Sequence, residues 1–518
     1  MKHLLLLGLT LALIFGARVS LEGASEKPNR GGTLTVGILK DHSLMNPLVR
    51  TNSMDKRIRA LMFEPLLGID KSGNIQPNLA ESWKVSDDRK IYTFKLRQGV
   101  RFHNGQEMTA EDVKFVMDYT MNPKNGAFGL SWLKEVARVE AIDRYTLRIF
   151  MKSASAAFLS SLTDIKTFSV VPKGSLPEGV SKLDRYPAGT GPFRFVDWQP
   201  QQRILLERHE GYWKNKPYVE KLVLRPITND QVRFTALRAQ DIDMAEQPPF
   251  EWAKQIADGK LKGISFTEAT FGGFYRLTFN VTRPPFDDRR MRLAVAHAID
   301  RRELLHAASF GFGEPSDQNY PKGYAWYHEG VPTPAYNPDK ARALLKEAGY
   351  KGEPIDIIED QEIVSQTLAT TLQAQMKKIG MNMKLDVLEV GAYTARQRAG
   401  DFAIGFSGGS PKADPSATYG PHLRCEPDLK KRASNTSGYC DQEMEALLQK
   451  AERELDPDKR KTLFKEIEAK ILRDLPFIII GFTPDFIAHR DTVKGFATDH
   501  DGALQWWGGG LSHAWLDK

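Results

Sequence analysis

Phe63-Glu64-Pro65-Leu66-Leu67, Pro77-Asn78-Leu79-Ala80-Glu81-Ser82-Trp83, Ser86-Asp87-Asp88, Tyr92-Thr93-Phe94-Lys95-Leu96-Arg97, Gly99-Val100-Arg101-Phe102-His103-Asn104-Gly105 and Thr109-Ala110-Glu111-Asp112-Val113 follow one another within residues 63–113. Inside this stretch Ile91 to Leu96 partly alternates apolar and polar side chains, the period of a half-buried strand. Thr109 precedes Glu111 and Asp112 at the head of a run whose apolar members Val113, Val116 and Met117 recur at helical spacing. A threonine oxygen can accept from a free N–H of the first turn, and acids suit the positive end of the helix dipole. A helix is therefore predicted from Thr109 onwards.

N-terminal to this stretch, Gly31-Gly32-Thr33-Leu34-Thr35-Val36-Gly37-Ile38 reads as a strand and Asp41 to Pro47 as the loop after it. Met291 to Ala308 reads as one amphipathic helix carrying Leu293, Ala294, Ala298 and Leu305. Another begins at Asn337-Pro338-Asp339, with Pro338 suited to a first turn, and stops at Gly349. Gln361 to Ile379 and Asp458 to Asp474 are further predicted helices, and Met383 to Leu388 and Phe477 to Ile480 predicted strands. Strands and helices mix without strict alternation, which points to a multi-lobed α/β architecture.

At the N-terminus, Met1-Lys2-His3 leads into uncharged, mainly apolar positions from Leu4 to Ala17, ended by Arg18. A membrane-spanning helix needs roughly twenty apolar residues, so this run suits the core of a signal peptide, here assigned to residues 1–25. Small residues at Gly23 and Ser25 fit peptidase cleavage. The chain's only cysteines, Cys425 and Cys440, are far from that site, so a lipidated N-terminal cysteine is not expected and release into the periplasm is. In an oxidising compartment the pair suits a local disulfide, with two free thiols as the alternative. No closely spaced thiolates suggest zinc, no cofactor is called for, and no metal site is assigned. The formal charge of +7 is spread along 518 residues without a Lys/Arg block interleaved with aromatics, which argues against nucleic acid as a partner. That length suggests about two to four domains.

The quoted blocks resemble the opening signature of family 5 extracellular solute-binding proteins, which include peptide- and nickel-binding components of ABC importers. Later blocks agree: Gly189-Thr190-Gly191-Pro192-Phe193, Gly211-Tyr212-Trp213, Asn280, Pro285 to Arg292, Ala298-Ile299-Asp300-Arg301, Tyr336 to Ala341, and Asp414-Pro415. The resemblance spans roughly residues 30 to 500. It implies an α/β, bilobal type II periplasmic-binding-protein-like fold (cluster C) with an extra subdomain inserted in lobe one. Lobe one would comprise 26–60, 186–279 and 495–518, the insertion 61–185, and lobe two 280–494. Ligand would lie in the interlobe cleft, and closure would be favoured only by contacts that open lobes cannot make.

By the same resemblance, the loop after the first strand faces the cleft, making Asp41, His42, Ser43 and Leu44 candidate contacts. Phe406, Ser407 and Gly408 are candidates from a second cleft segment. Peptide-binding relatives place an aromatic there and then an aspartate for the peptide's α-amino group; Phe406 fits the aromatic, but Gly408, Gly409 and Ser410 stand where the acid is expected. A buried ammonium without a carboxylate is costly by several kcal/mol. The expected ligand is thus an oligopeptide with a modified amine, an opine or an oligosaccharide-like solute. Phe271 and Trp506, with Phe274, Tyr275 and Trp507, are candidate aromatic surfaces for it. His103, His297 and His306 are read as structural or surface residues rather than metal ligands, and Asp414 as structural.

The function implied is that of a monomeric periplasmic binding component delivering a small polar solute to ABC permease subunits. A sensory or chaperone receptor on the same fold is the alternative. A secreted hydrolase lacks support, since neither Gly-x-Ser-x-Gly nor His-Glu-x-x-His occurs, so no enzyme is expected.

Overall fold

The computed structural model describes residues 27–41, 46–49, 53–166, 168–176, 188–426, 434–498, 504–506 and 508–517. The assigned signal peptide and the candidates His42, Ser43, Leu44 and Trp507 lie outside these residues, as does the side chain of Phe271.

Eleven of the described strands join into one sheet. From one edge to the other its path runs Met383–Leu388, Ile355–Asp360, Ile404–Gly409, Ile264–Phe279, Phe477–Arg490, Met244–Glu246, Thr33–Ile38, Lys221–Pro226, Arg203–Arg208 and Phe193–Gln199, with Glu314–Pro315 paired to Phe477–Arg490 off this path. Two long antiparallel strands, Ile264–Phe279 and Phe477–Arg490, form its middle and serve both halves. Residues Ile264 to Ala269 pair with Arg490 to Asp485, while Gly273 to Thr278 pair with Thr483 to Phe477. The ladder is interrupted between Ala269 and Gly273, opposite Pro484. Proline has no N–H to give a ladder, so this is where the pair can bend.

Alternation along these strands divides the second half's core. Leu277, Phe279, Ile478 and Ile480 face one cluster, with the helices Arg289–Ala298, Arg301–Ser309 and Ile363–Lys378. Phe274, Phe477 and Ile479 face another, with the helices Pro415–Leu423, Gln442–Arg453 and Pro457–Asp474. Each such side chain, fully buried, contributes about 1.5–3 kcal/mol. The expected single helix from Met291 to Ala308 is two. Asp300 interrupts it, accepting from the N–H groups of Arg302 and Glu303 (3.0 Å each) as the cap of a new helix.

A separate antiparallel sheet, Ala80–Val85, Ile91–Leu96, Thr146–Met151 and Val136–Asp143, packs with the helix Ala110–Met121. Its core is continuous with that of the first half of the large sheet, through Leu34, Val36, Leu222 and Leu224. The signature blocks meet at this joint. Glu64, 6% exposed, accepts from Thr190 Oγ1 (3.0 Å), Tyr212 OH (3.1 Å) and Trp213 Nε1 (2.8 Å). Asn78 donates to the Pro65 carbonyl (2.8 Å) and accepts from Lys214 Nζ (2.8 Å), and Arg97 lies over the Trp213 ring. At Gly191 a Cβ would come within 2.6 Å of the Met62 backbone, so only glycine lets these segments touch. His103 belongs to the same joint: one ring nitrogen bonds the Gly191 carbonyl (3.0 Å), the other accepts from Gly189 N–H (3.3 Å), and burial lowers its pKa to about 3.

Candidate functional site

Ligands of parallel α/β sheets sit beyond the carboxyl ends of the strands. Here Thr33–Ile38 is parallel to Lys221–Pro226 and Met244–Glu246, and Ile355–Asp360 is parallel to Met383–Leu388 and Ile404–Gly409. The register makes both sets end at the interruption in the long strands. Glu246 pairs with Ile487 from one side, and Gly409 pairs with Phe274 from the other. The strand ends of both halves therefore converge on Gly273, Thr483 and Asp485, and that junction is the candidate site.

Its charges are sorted. Arg57, on the helix Ser53–Arg59, bonds Glu246 Oε1 (3.2 Å) and Asp485 Oδ2 (2.5 Å); burial opposes its charge, but these two carboxylates outweigh that and raise its pKa. The remaining oxygens of those acids accept from Leu39 N–H (3.2 Å) and Gln247 Nε2 (3.0 Å). Tyr275 borders the same region: burial and then the charges of Asp485, Glu362 and Asp360 push its hydroxyl up. Just inside, Glu359 is buried and its carboxyl is pushed up to about 8, chiefly by burial, although it accepts from the N–H groups of Asp360 (3.1 Å) and Phe406 (3.3 Å).

On another side stand cations. Lys56 lies 3.5 Å from Asp164. Burial brings the Lys166 ammonium down to about 8, Asp164 partly offsetting this, with Lys56, Lys412 and Arg59 acting in the same direction as burial. Lys412 follows the strand Ile404–Gly409 of the opposite half, so this cluster draws on both sides of the junction. The site can hold an ammonium at its acidic end and a carboxylate at its basic end. Among the described residues no group of three or more His, Cys, Asp or Glu is arranged to hold a metal ion.

Several sequence candidates fall elsewhere. Phe406 is a correction: its strand alternates, and the ring points into the core, 2% exposed, leaving its backbone to meet Glu359 and the Tyr393 hydroxyl. Phe274 is likewise core, edge-on to Phe482. Asp41 is folded back onto a hairpin, accepting from Trp198 Nε1 (3.0 Å) and Gln201 N–H (2.6 Å). Trp506 donates to the Ala497 carbonyl (3.3 Å) beneath Lys71, on the C-terminal segment. Gly408 is exposed at the junction, and Ser407 Oγ lies 3.3 Å from Arg276 Nε. His297 bonds the Ala335 carbonyl (2.7 Å) and Asp414 forms a buried two-pronged pair with Arg460 (2.9 Å each), both structural as expected. Cys425 and Cys440 form a disulfide. Sequence reasoning missed Arg57, Lys56, Lys166, Glu246, Asp485, Asp360 and Glu362. Glu246 and Asp360 close strands, a signal that becomes readable once strand order is known; Lys56 and Arg57 on a helix and Asp485 inside a long strand carry none.

The family profile of bacterial extracellular solute-binding proteins, family 5 Middle, matches residues 74–428. A glutathione-binding protein, GsiB, of Salmonella paratyphi A is 26% identical over 474 residues, covering 89% of this chain and 91% of the relative. The dipeptide-binding protein of Escherichia coli K12 is 30% identical over 457 residues, covering 82% and 84%. Among solved structures, the periplasmic binding protein DppA from Helicobacter pylori, in complex with the peptide STSA, superposes with a TM-score of 0.77 at 26% identity, covering 95% of this chain and 99% of that one. Fold, strand-end junction and sequence thus agree: the chain is a member of the family 5 bacterial extracellular solute-binding proteins, the substrate-binding components of ABC importers.

Proposed function

We propose that this protein captures a zwitterionic, peptide-like solute at the junction of its two halves and delivers it to ABC permease subunits, without transforming it. The observation that carries the reading is the sorting of charge: Glu246 and Asp485 around Arg57, with Asp485, Glu362 and Asp360 acting on the neighbouring Tyr275, and apart from them the cations Lys56, Lys166 and Lys412. An ammonium and a carboxylate on one solute match these two ends. The acid expected after Phe406 is thus supplied by other strands, and a free amine need not be left unpaired. The glutathione-, dipeptide- and peptide-binding relatives support the same ligand class.

The lobes divide inside the long strands, near residues 270–272 and 483–485, rather than at 279/280 and 494/495. The ladder interruption opposite Pro484 supports this placement. In this reading the protein acts as a monomer, exported by residues 1–25 and released into the periplasm. No described helix is long and apolar enough to cross a membrane.

Calorimetric titration with free dipeptides, their N-acetyl forms and their C-terminal amides tests the reading. Loss of one charged contact costs about 1.5–3 kcal/mol, so each cap should weaken binding roughly tenfold or more. Equal affinity for free and doubly capped peptides contradicts it, as does turnover of the bound peptide.

A further inference from the structure

Arg276 stands on the strand Ile264–Phe279 and is 5% exposed. Its Nε donates to Ser407 Oγ (3.3 Å), and its guanidinium lies over the Phe477 ring (4.8 Å). Among the described residues it forms no ion pair with a carboxylate, and its buried Nη1 has no hydrogen-bond partner. Interiors seldom keep a guanidinium this way, because both the desolvation of the charge and the unused donor are unfavourable. Around it are groups that accept or donate without neutralising it. Tyr393 is near enough for its charge to be felt, Ser407 Oγ lies 3.3 Å from Thr278 Oγ1, and His422 holds the Ser434 carbonyl (2.8 Å). Burial and then the charge of Arg276 hold His422 at about 3, and Lys412 at the junction acts on the same ring. Positive charge therefore extends from Lys166 and Lys412 at the junction to Arg276 within the second half.

We propose that Arg276 is a receptor for a carboxylate of the captured solute, which makes this a binding protein for acidic peptide-like molecules. The inference rests on the reading of the junction as a solute site, and it adds a specificity determinant to it. Phe477 already covers the face of this guanidinium, and a planar carboxylate reaching its edge from beside Ser407 would supply the acceptor that the buried Nη1 lacks.

The test uses the whole oxidised protein freed of solute. Its unfolding temperature is followed against acetate and, separately, acetamide at constant ionic strength, for the wild type, Arg276→Met and Arg276→Gln. Acetate should raise the wild-type value by roughly 1–2 °C as it saturates, acetamide should not, and both variants should lose the response. The Gln variant retains a hydrogen-bond donor towards Ser407 and carries the comparison if Met disturbs folding. In parallel, Ala-Glu should bind the wild type about tenfold or more tightly than Ala-Gln, with that ratio falling to near one in the variants. An acetate response equal to that of acetamide, or one that survives in both variants, overturns the proposal. Equal binding of Ala-Glu and Ala-Gln by the wild type would end this proposal and leave the solute-capture reading standing, whereas binding of neither dipeptide would fail that reading itself, so the two failures are distinguishable.

Discussion

Replacing Glu64 by alanine should uncouple the inserted sheet from the large one without touching the junction proposed to hold solute. Three donors end on this carboxylate: Thr190 Oγ1, Tyr212 OH and Trp213 Nε1. Thr190 and Tyr212 are themselves buried, so water does not readily replace the lost acceptor. At about 1–1.5 kcal/mol for each donor left unpaired, Glu64→Ala should cost on the order of 3–4 kcal/mol. Glu64→Gln separates shape from charge. One amide oxygen can still serve Thr190 and Trp213, while the Tyr212 hydroxyl can turn to accept from the amide nitrogen. The loss is then mainly the charge facing Lys214 Nζ at 3.6 Å, about 1 kcal/mol. Urea unfolding followed by tryptophan fluorescence suits the question, since Trp213 reports from the joint itself. Peptide affinity should stay within about twofold of wild type for both variants, because no binding contact is removed. An alanine variant within about 0.5 kcal/mol of wild type would show that Glu64 does not hold the joint together. So would one of unchanged stability that no longer binds.

Three further outcomes are expected. Glu359 is held at about 8 against an ordinary 4.5, so the folded protein retains this proton to higher pH than the unfolded chain; its contribution is full below about 4.5 and is lost as pH rises through 8. Glu359→Gln should accordingly flatten the fall of Tm between pH 5 and 8, and an unchanged slope would show that another group sets it. Converting Cys425 and Cys440 together to serine opens a 15-residue loop and should cost about 3 kcal/mol, read as the difference in urea midpoint. Arg57→Met leaves Glu246 and Asp485 without their shared cation and should cost roughly 3–5 kcal/mol in the same measurement, more than any exposed pair.

What the chain discloses by inspection is its scaffold. The blocks around Glu64, Gly189-Thr190-Gly191 and Gly211-Tyr212-Trp213 are distinctive because they must meet at one crowded joint, which constrains residue type strongly. The helix start at Asn337 is likewise readable, because a short polar side chain before a proline and an apolar run has a local cause. Asp300 was not read as a break, since apolar periodicity passes over it and only the backbone geometry separates the two helices. The junction resisted reading for a different reason. Arg57, Glu246 and Asp485 are separated by 189 and 239 positions in sequence and become neighbours only through strand order. Phe406 misled because composition matched the expected pattern while the two-residue alternation of its strand turned the ring inward.

Closure of the two halves on a small solute, about the interruption in the long strands, can be read directly as a distance. Val196 and Val387 are exposed on the opposite edge strands of the large sheet, one in each half. With the native cysteines held in their disulfide, spin labels placed through Val196→Cys and Val387→Cys report the separation of the halves by pulsed electron resonance. Addition of a pool of zwitterionic dipeptides should convert a broad distribution into a shorter, narrower one, and removal of the peptides should restore the first. Saturable peptide binding with no change in that distance, or no binding of any peptide in the pool, would contradict the account.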